Sequence, residues 1–327
     1  MTVPSLESVR AAAARLEGVA VRTPLLWSPD LSDEVGASVR LKCESLQRCG
    51  AFKLRGSYNF ISRLSDEDVA RGVITYSSGN HAQGVALAAR IRGVRAVVVM
   101  PTTAPAVKHR GAARLGAEVV FEGTTSVERR ARAEEIAAAE GLAIVPPFDH
   151  PHIISGQGTV GLEIAEEWPE VDTAIVPIGG GGLAAGTAVA LRALRPGMRI
   201  IGVEPEGAAS MRAALDAGRV VRIDGIDTIA DGLAPVQVGD LTYALVRDLV
   251  DDVVLVADDA IRDAAVFLLE RAKLVAEFSG AATVAALRSG AAGFGDRVAA
   301  VISGGNADVA ALVASAESAV EVLDGLS

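Results

Sequence analysis

Cysteine is scarce. Cys43 and Cys49 are the only two, and neither sits in a CxxC pair or a Cys/His cluster of zinc spacing. A disulfide scaffold is thereby excluded and a reducing compartment implied. Long apolar runs are also missing: none reaches the about 20 residues that a spanning helix needs. The first ten residues lack the basic-then-apolar order of an export signal. These absences together predict a cytoplasmic protein. Basic charge is in deficit, with 31 Lys and Arg against 41 Asp and Glu, a net charge of -10 and a pI near 5.0. Nucleic acid and anionic membrane are therefore disfavoured as partners, although a local basic cleft stays open. No period of 20 to 50 residues recurs and no low-complexity linker divides the chain, so solenoids and bead-like arrays are excluded. Lysine is the rarest of the common charges: Lys42, Lys53, Lys108 and Lys273 are the whole set. Where arginine supplies the surface charge, a retained lysine is weak support for chemistry that guanidinium cannot do, such as forming an imine.

What is present is an alternation. The 327 residues are half apolar, which excludes disorder and gives room for two lobes or one large α/β domain. Short apolar runs at 73–76, 96–100, 118–121, 143–145, 173–178, 199–203, 252–256 and 298–302 read as strands covered on both faces. Helical patterns lie between them at 82–92, 126–139, 183–194 and 260–274, with Thr125 and Glu128 forming a capping box. Strand and helix in turn predict parallel sheets with ligand sites beyond the carboxyl ends of the strands. Before residue 72 the reading is mostly helical, beginning with 5–16. The proline-rich stretch 146–151 is the best internal break.

Four stretches could carry chemistry. In Ile175-Val-Pro-Ile-Gly-Gly-Gly-Gly-Leu, a buried strand runs through Gly179, Gly180, Gly181 and Gly182 into a helix, so backbone N–H groups and the helix dipole converge on an anion. Gly180, Gly182 and Ala185, with Glu204 ending the next strand, also satisfy a dinucleotide fingerprint, which leaves an NAD-dependent oxidoreductase open at this point. In Gly50-Ala-Phe-Lys-Leu-Arg-Gly, Lys53 beside Phe52 suits imine chemistry if burial lowers its pKa; taken alone, a snorkelling surface lysine is the better explanation. Ser77-Ser78-Gly79-Asn80-His81 follows a strand and opens a helix, with more polar groups than one N-cap requires, and a carboxylate would fit there. Val301-Ile-Ser-Gly-Gly-Asn ends another strand on Ser303, which could meet a bound ring or only form a turn. The segment Asp149-His150-Pro151-His152 has no helical metal face and reads as a solvated loop.

Taken in order, GAFKLRG, SSGNHAQG, GGGGL and SGGN, with the linking texts SGQGTVGLEI, GVEP and TIADGLA, resemble the fold-type II pyridoxal-phosphate enzymes. The similarity is greatest to the threonine/serine dehydratases and serine racemases. It implies a tryptophan synthase β-like α/β fold: two open twisted parallel-sheet domains with flanking helices, a discontinuous large domain of 1–71 and 148–327 and a small domain of 72–147. It further implies that Lys53 holds pyridoxal 5'-phosphate covalently and then acts as base. Phe52 would pack on the ring, Asn80 would bond its 3'-hydroxyl, Gly179 to Gly182 would bind the phosphate and Ser303 would meet the pyridine nitrogen. Ser77, Ser78, Gly79, Asn80 and His81 would take the substrate carboxylate. A hydroxyl at the ring nitrogen makes a weaker electron sink than a carboxylate partner, which favours α,β-elimination. The implied activity is conversion of L-threonine and L-serine to 2-oxo acids and ammonia.

Ser78 keeps an alternative alive, because serine racemases use the equivalent hydroxyl as the acid on the opposite face. The text PPFDHPH at 146–152 also resembles racemase and 3-hydroxyaspartate dehydratase members. Members with a divalent or monovalent cation imply an oxygen site at Glu204, Ala208 and Ser210. Ser210 stands where those members carry an acidic ligand, so only Glu204 and the Ala208 carbonyl match. The partners implied are a small amino acid and other copies of the chain, as a homodimer or homotetramer.

Overall fold

The computed structural model describes residues 3–77, 79–103 and 106–324. Its strands are β1 (Leu25–Trp27), β2 (Ser38–Cys43), β3 (Val73–Tyr76), β4 (Ala96–Met100), β5 (Glu118–Phe121), β6 (Ala143–Ile144), β7 (Thr173–Pro177), β8 (Arg199–Pro205), β9 (Asp252–Val256) and β10 (Arg297–Ile302). They form two sheets, one ordered β1-β2-β10-β7-β8-β9 and the other β5-β4-β3-β6. All pairs are parallel except β1 with β2. β4, β7 and nearly all of β8 and β10 are buried, as parallel strands sandwiched by helices must be.

The first 71 residues depart from the helical expectation, because β1 and β2 add an edge to the larger sheet. β2 reads Ser-Val-Arg-Leu-Lys-Cys, and its two cations hide a strand in the sequence. Lys42 is nevertheless fully buried, held by the Thr23 carbonyl at 2.6 Å and by Glu163 at 2.7 Å. The helix expected at 260–274 ends at Glu270, and Lys273 then takes a positive φ of 58°. The segment 150–152 is not the expected solvated loop. His150 caps the helix Pro151–Gln157, its Nδ1 accepting from the His152 N–H at 3.1 Å, and Pro151 is buried. The capping box of Thr125 and Glu128 forms at the start of the helix Ser126–Glu140.

Three parallel strands deliver their carboxyl ends to one region. β3 leads to Ser77 and the helix Asn80–Arg92, β7 to Gly179–Gly182 and the helix Gly182–Leu194, and β10 to Ser303. The fourth contributor is the helix Lys53–Ile61. Its entry is pinned to the end of β10, with the Phe52 N–H donating to the Ser303 carbonyl at 3.1 Å and Ala51 bridging Gly304.

Candidate active site

A cavity of about 480 Å³ lies at this convergence and is lined by Lys53, Asn80, Gly180, Ser303 and Glu277, among others. Four motifs spread over more than 250 positions of chain therefore meet at one place. Lys53 heads its helix from a partly buried position, and its Nζ donates to the Pro147 carbonyl at 2.9 Å. Burial pushes its pKa down to about 8, while the negative charge of Glu277 works in the opposite direction. The Phe52 ring lies 5.0 Å from the same ammonium.

The glycine turn is built for close approach. Gly181 caps the helix Gly182–Leu194 at φ 89°, a left-handed conformation that favours glycine. A Cβ on Gly180 would fall inside the Phe148 ring, and one on Gly182 would press on the Phe148 backbone at 3.1 Å. Thr242 Oγ1 donates to the Gly180 carbonyl at 2.8 Å, which braces the turn from outside. Thr242 is held in turn by Asp149, whose Oδ1 accepts from the N–H groups of Leu241 and Thr242 at 3.1 and 3.0 Å.

At the end of β3, Gly79 is the N-cap of the helix Asn80–Arg92, and no side chain among the described residues caps that end. The leading N–H groups consequently keep their donor capacity for a ligand. His81 is buried, with Nε2 at 3.1 Å from the Val145 carbonyl. A carbonyl only accepts, so the proton is on Nε2 and Nδ1 carries a lone pair without a partner among the described residues. Burial and the neighbouring Lys53 drive the His81 pKa down to about 3. A neutral imidazole whose one N–H is committed cannot donate to a carboxylate from its side chain, which leaves only its backbone N–H for that purpose. Ser78 lies outside the described residues.

Two residues that the motifs did not single out complete the site. Glu277 accepts a short hydrogen bond from Asn80 Nδ2. Asn306 Nδ2 donates to Asn80 Oδ1 at 2.8 Å and to the Cys49 carbonyl at 2.9 Å. Asn80 is thus oriented from both ends of its amide. Asn306 is the last residue of SGGN and was available to a reader of that motif. Glu277 is an isolated acid at the head of the helix Phe278–Arg288, with no local signal of its role.

The dinucleotide reading of the glycine turn fails on Glu204. That side chain is buried and both its oxygens are used, accepting from the N–H groups of Met211 at 2.7 Å and Arg212 at 2.8 Å. It caps the helix Ser210–Ala217 and is not presented to a ribose. Burial outweighs these bonds and raises its pKa to about 7. Ala208 is buried too, and Ser210 Oγ is buried without a partner among the described residues.

Residues 16–304 match the model of a protein family described as pyridoxal-phosphate dependent enzyme. The chain belongs to this family. An L-threonine ammonia-lyase of Thermotoga maritima is 48% identical over 305 residues, covering 93% of this chain and 76% of that protein. A serine racemase of Oryza sativa subsp. indica is 42% identical over 94% of this chain and 92% of its own. The solved structure of maize serine racemase superposes with a TM-score of 0.92 at 39% identity, covering 99% of this chain and all of that one. The fold is accordingly fold-type II, and the cofactor of the family is pyridoxal phosphate. The residues present fit that group: a turn where side chains are sterically excluded can admit a phosphate to backbone N–H groups, and a desolvated lysine faces the same cavity.

No helix among the described residues is long and apolar enough to cross a membrane.

Proposed function

We propose that the protein is an ammonia-lyase acting on small β-hydroxy amino acids, L-threonine and L-serine, which it converts to 2-oxo acids and ammonia. The observation that carries this reading is Lys53, an amine with a pKa of about 8 between the glycine turn and the uncapped helix start at 79–81. The similarity to a threonine ammonia-lyase supports the same reading.

Lys53, Phe52, Asn80, Gly179 to Gly182 and Ser303 would hold the cofactor, which when bound supplies an electron sink for the substrate's α-carbon. Lys53 serves as the base. At its lowered pKa a useful fraction of the amine is neutral near pH 7, whereas an ordinary lysine at 10.5 is almost wholly protonated. Its bond to the Pro147 carbonyl fixes where that nitrogen waits. The N–H groups at 79–81 and the Ser77 hydroxyl orient the substrate carboxylate, with Ser78 assigned to the same role from the sequence. Ser303 brings a hydroxyl where a carboxylate would bring full charge, which limits stabilisation of negative charge at Cα and favours early loss of the β-hydroxyl.

Racemisation of serine is the second reading, favoured by the Ser78 hydroxyl and the 42% identity to a serine racemase. Incubation with L-threonine and L-serine, with 2-oxo acid and D-enantiomer measured together, separates the two. The lyase reading expects 2-oxo acid as the main product; D-serine without 2-oxo acid would refute it. We further infer that 72–147 forms a small domain against 1–71 and 148–327, and that the protein is a homodimer or homotetramer in the cytoplasm, to be tested by limited proteolysis and sedimentation.

A further inference from the structure

We propose that Gln157 is a positioning residue for Lys53: its side-chain amide sets the winding of the first turn of the lysine's helix, and with it the place of the amine relative to the glycine turn. The inference rests on the assignment of the covalent link to Lys53, and it goes beyond the lyase reading in naming what holds that residue in place.

Gln157 ends the helix Pro151–Gln157, lines the cavity and is only 1% exposed. An amide so deeply buried is costly unless it is bonded. Its Oε1 accepts from the Gly56 N–H at 3.2 Å, 101 positions away in the chain. That donor is among the leading N–H groups of the helix Lys53–Ile61, whose first turn is tight: the Phe52 carbonyl accepts from Arg55, three residues on, at 3.0 Å. At Phe52 itself no side chain among the described residues caps the helix. Gln157 thus does from a distance what a local cap ordinarily does.

Glycines let the partners come this close. A Cβ on Gly156 would lie 2.6 Å from both the Arg55 carbonyl oxygen and the Gly56 Cα, and one on Gly56 would lie 2.5 Å from Gln157 Nε2. On the other side of the same segment, a Cβ on Gly158 would lie 2.7 Å from the carbonyl oxygen of Gly186, which belongs to the helix that starts at the glycine turn. Residues 156–158 therefore form a strut between the helix that carries the amine and the helix that would receive the phosphate. The Gly158–Gly186 contact is backbone alone, whereas the lysine side adds the Gln157 amide.

Without that amide, the buried Gly56 N–H turns to the Phe52 carbonyl four residues back, and the first turn relaxes to ordinary α winding. Lys53 turns with it. The Gly158–Gly186 contact does not involve the side chain, so the phosphate seat stays where it is. Displacing a reacting group by about 1 Å is enough to slow its chemistry by roughly a hundredfold.

The test compares wild type with Gln157→Met, which keeps the length without the amide, and Gln157→Glu, which keeps an acceptor oxygen whether ionised or not. Thermal melting checks folding, and Gln157→Asn, one methylene short, replaces Gln157→Met if that variant does not fold. Two quantities are read on the apo-protein well above pH 8, where Lys53 is neutral. One is the affinity for pyridoxine 5'-phosphate, an alcohol that offers ring and phosphate but forms no covalent link; the other is the rate of covalent capture of pyridoxal phosphate. The inference expects Gln157→Met to bind the analogue within about threefold of wild type while capture, and kcat of the holoenzyme, fall at least about tenfold, and Gln157→Glu to recover in part. Affinity and capture falling together, capture unchanged, or no recovery in Gln157→Glu overturns it. A wild type that captures the cofactor on Lys53 but turns over neither threonine nor serine overturns the lyase reading alone, because capture reads this geometry without a substrate. Capture on another lysine overturns both.

Discussion

The ring of Phe148 occupies the space that a side chain on Gly180 would need. That contact turns a compositional oddity, four consecutive glycines, into a mechanical requirement. Gly180→Ala must push the turn or the ring aside, and either movement disturbs the N–H groups that would receive a phosphate. We expect cofactor affinity to weaken by at least about tenfold, the scale of a lost charge-assisted hydrogen bond. Equilibrium dialysis of the apo-protein with pyridoxal phosphate reads this directly; unchanged affinity would place the phosphate elsewhere.

Lys53 and Glu277 set a pH dependence whose sign is fixed. Burial favours the neutral amine, so the folded pKa of about 8 lies below the ordinary 10.5. Between these values the unfolded chain binds the extra proton, and the apo-protein therefore gains stability as pH rises through that window and loses it as pH falls through about 8. Capture of the cofactor needs the neutral amine and should accelerate with a midpoint near pH 8. Glu277 favours the charged form, so Glu277→Gln should move the midpoint lower still. A midpoint that rises, measured by stopped-flow absorbance of the apo-protein, contradicts this electrostatic arrangement.

Arg55, two residues after Lys53, is buried and fully bonded. Its guanidinium reaches Glu44 at 2.8 Å through both Nε and Nη2, and Glu163 at 2.6 and 3.0 Å. Glu44 is completely buried, and the arginine holds its carboxyl below the usual range against the effect of burial. Arg55→Leu would leave two acids facing each other without this cation. We expect a loss of about 3–5 kcal/mol, typical of a broken buried pair. Urea denaturation of the apo-protein checks it. A loss below about 1 kcal/mol would mean that water or the Lys42 ammonium takes over.

How much could be read from the sequence depended on whether a residue's role was local. The buried parallel strands are continuous apolar runs, and β3, β4, β5 and β9 fall where the pattern puts them. β2 was hidden because Arg40 and Lys42 break the apolar run, and a buried lysine is tolerable there through the Thr23 carbonyl and the distant Glu163 and Glu167. Lys53, Asn80, the glycine turn and Ser303 were legible because each ends or begins an element. Glu277 was not, since its significance comes from an asparagine 197 positions away. His81 was legible as a site residue, but its tautomer required the Val145 carbonyl to be located.

The scarcity of lysine makes the decisive measurement simple. Borohydride reduction of the holoenzyme, proteolysis and mass spectrometry of the peptides would locate the reduced cofactor among Lys42, Lys53, Lys108 and Lys273. The label is expected on Lys53 alone and absent from Lys53→Ala, which should also lose all turnover. A label on any other lysine, or an active Lys53→Ala variant, would contradict the assignment on which the mechanism depends.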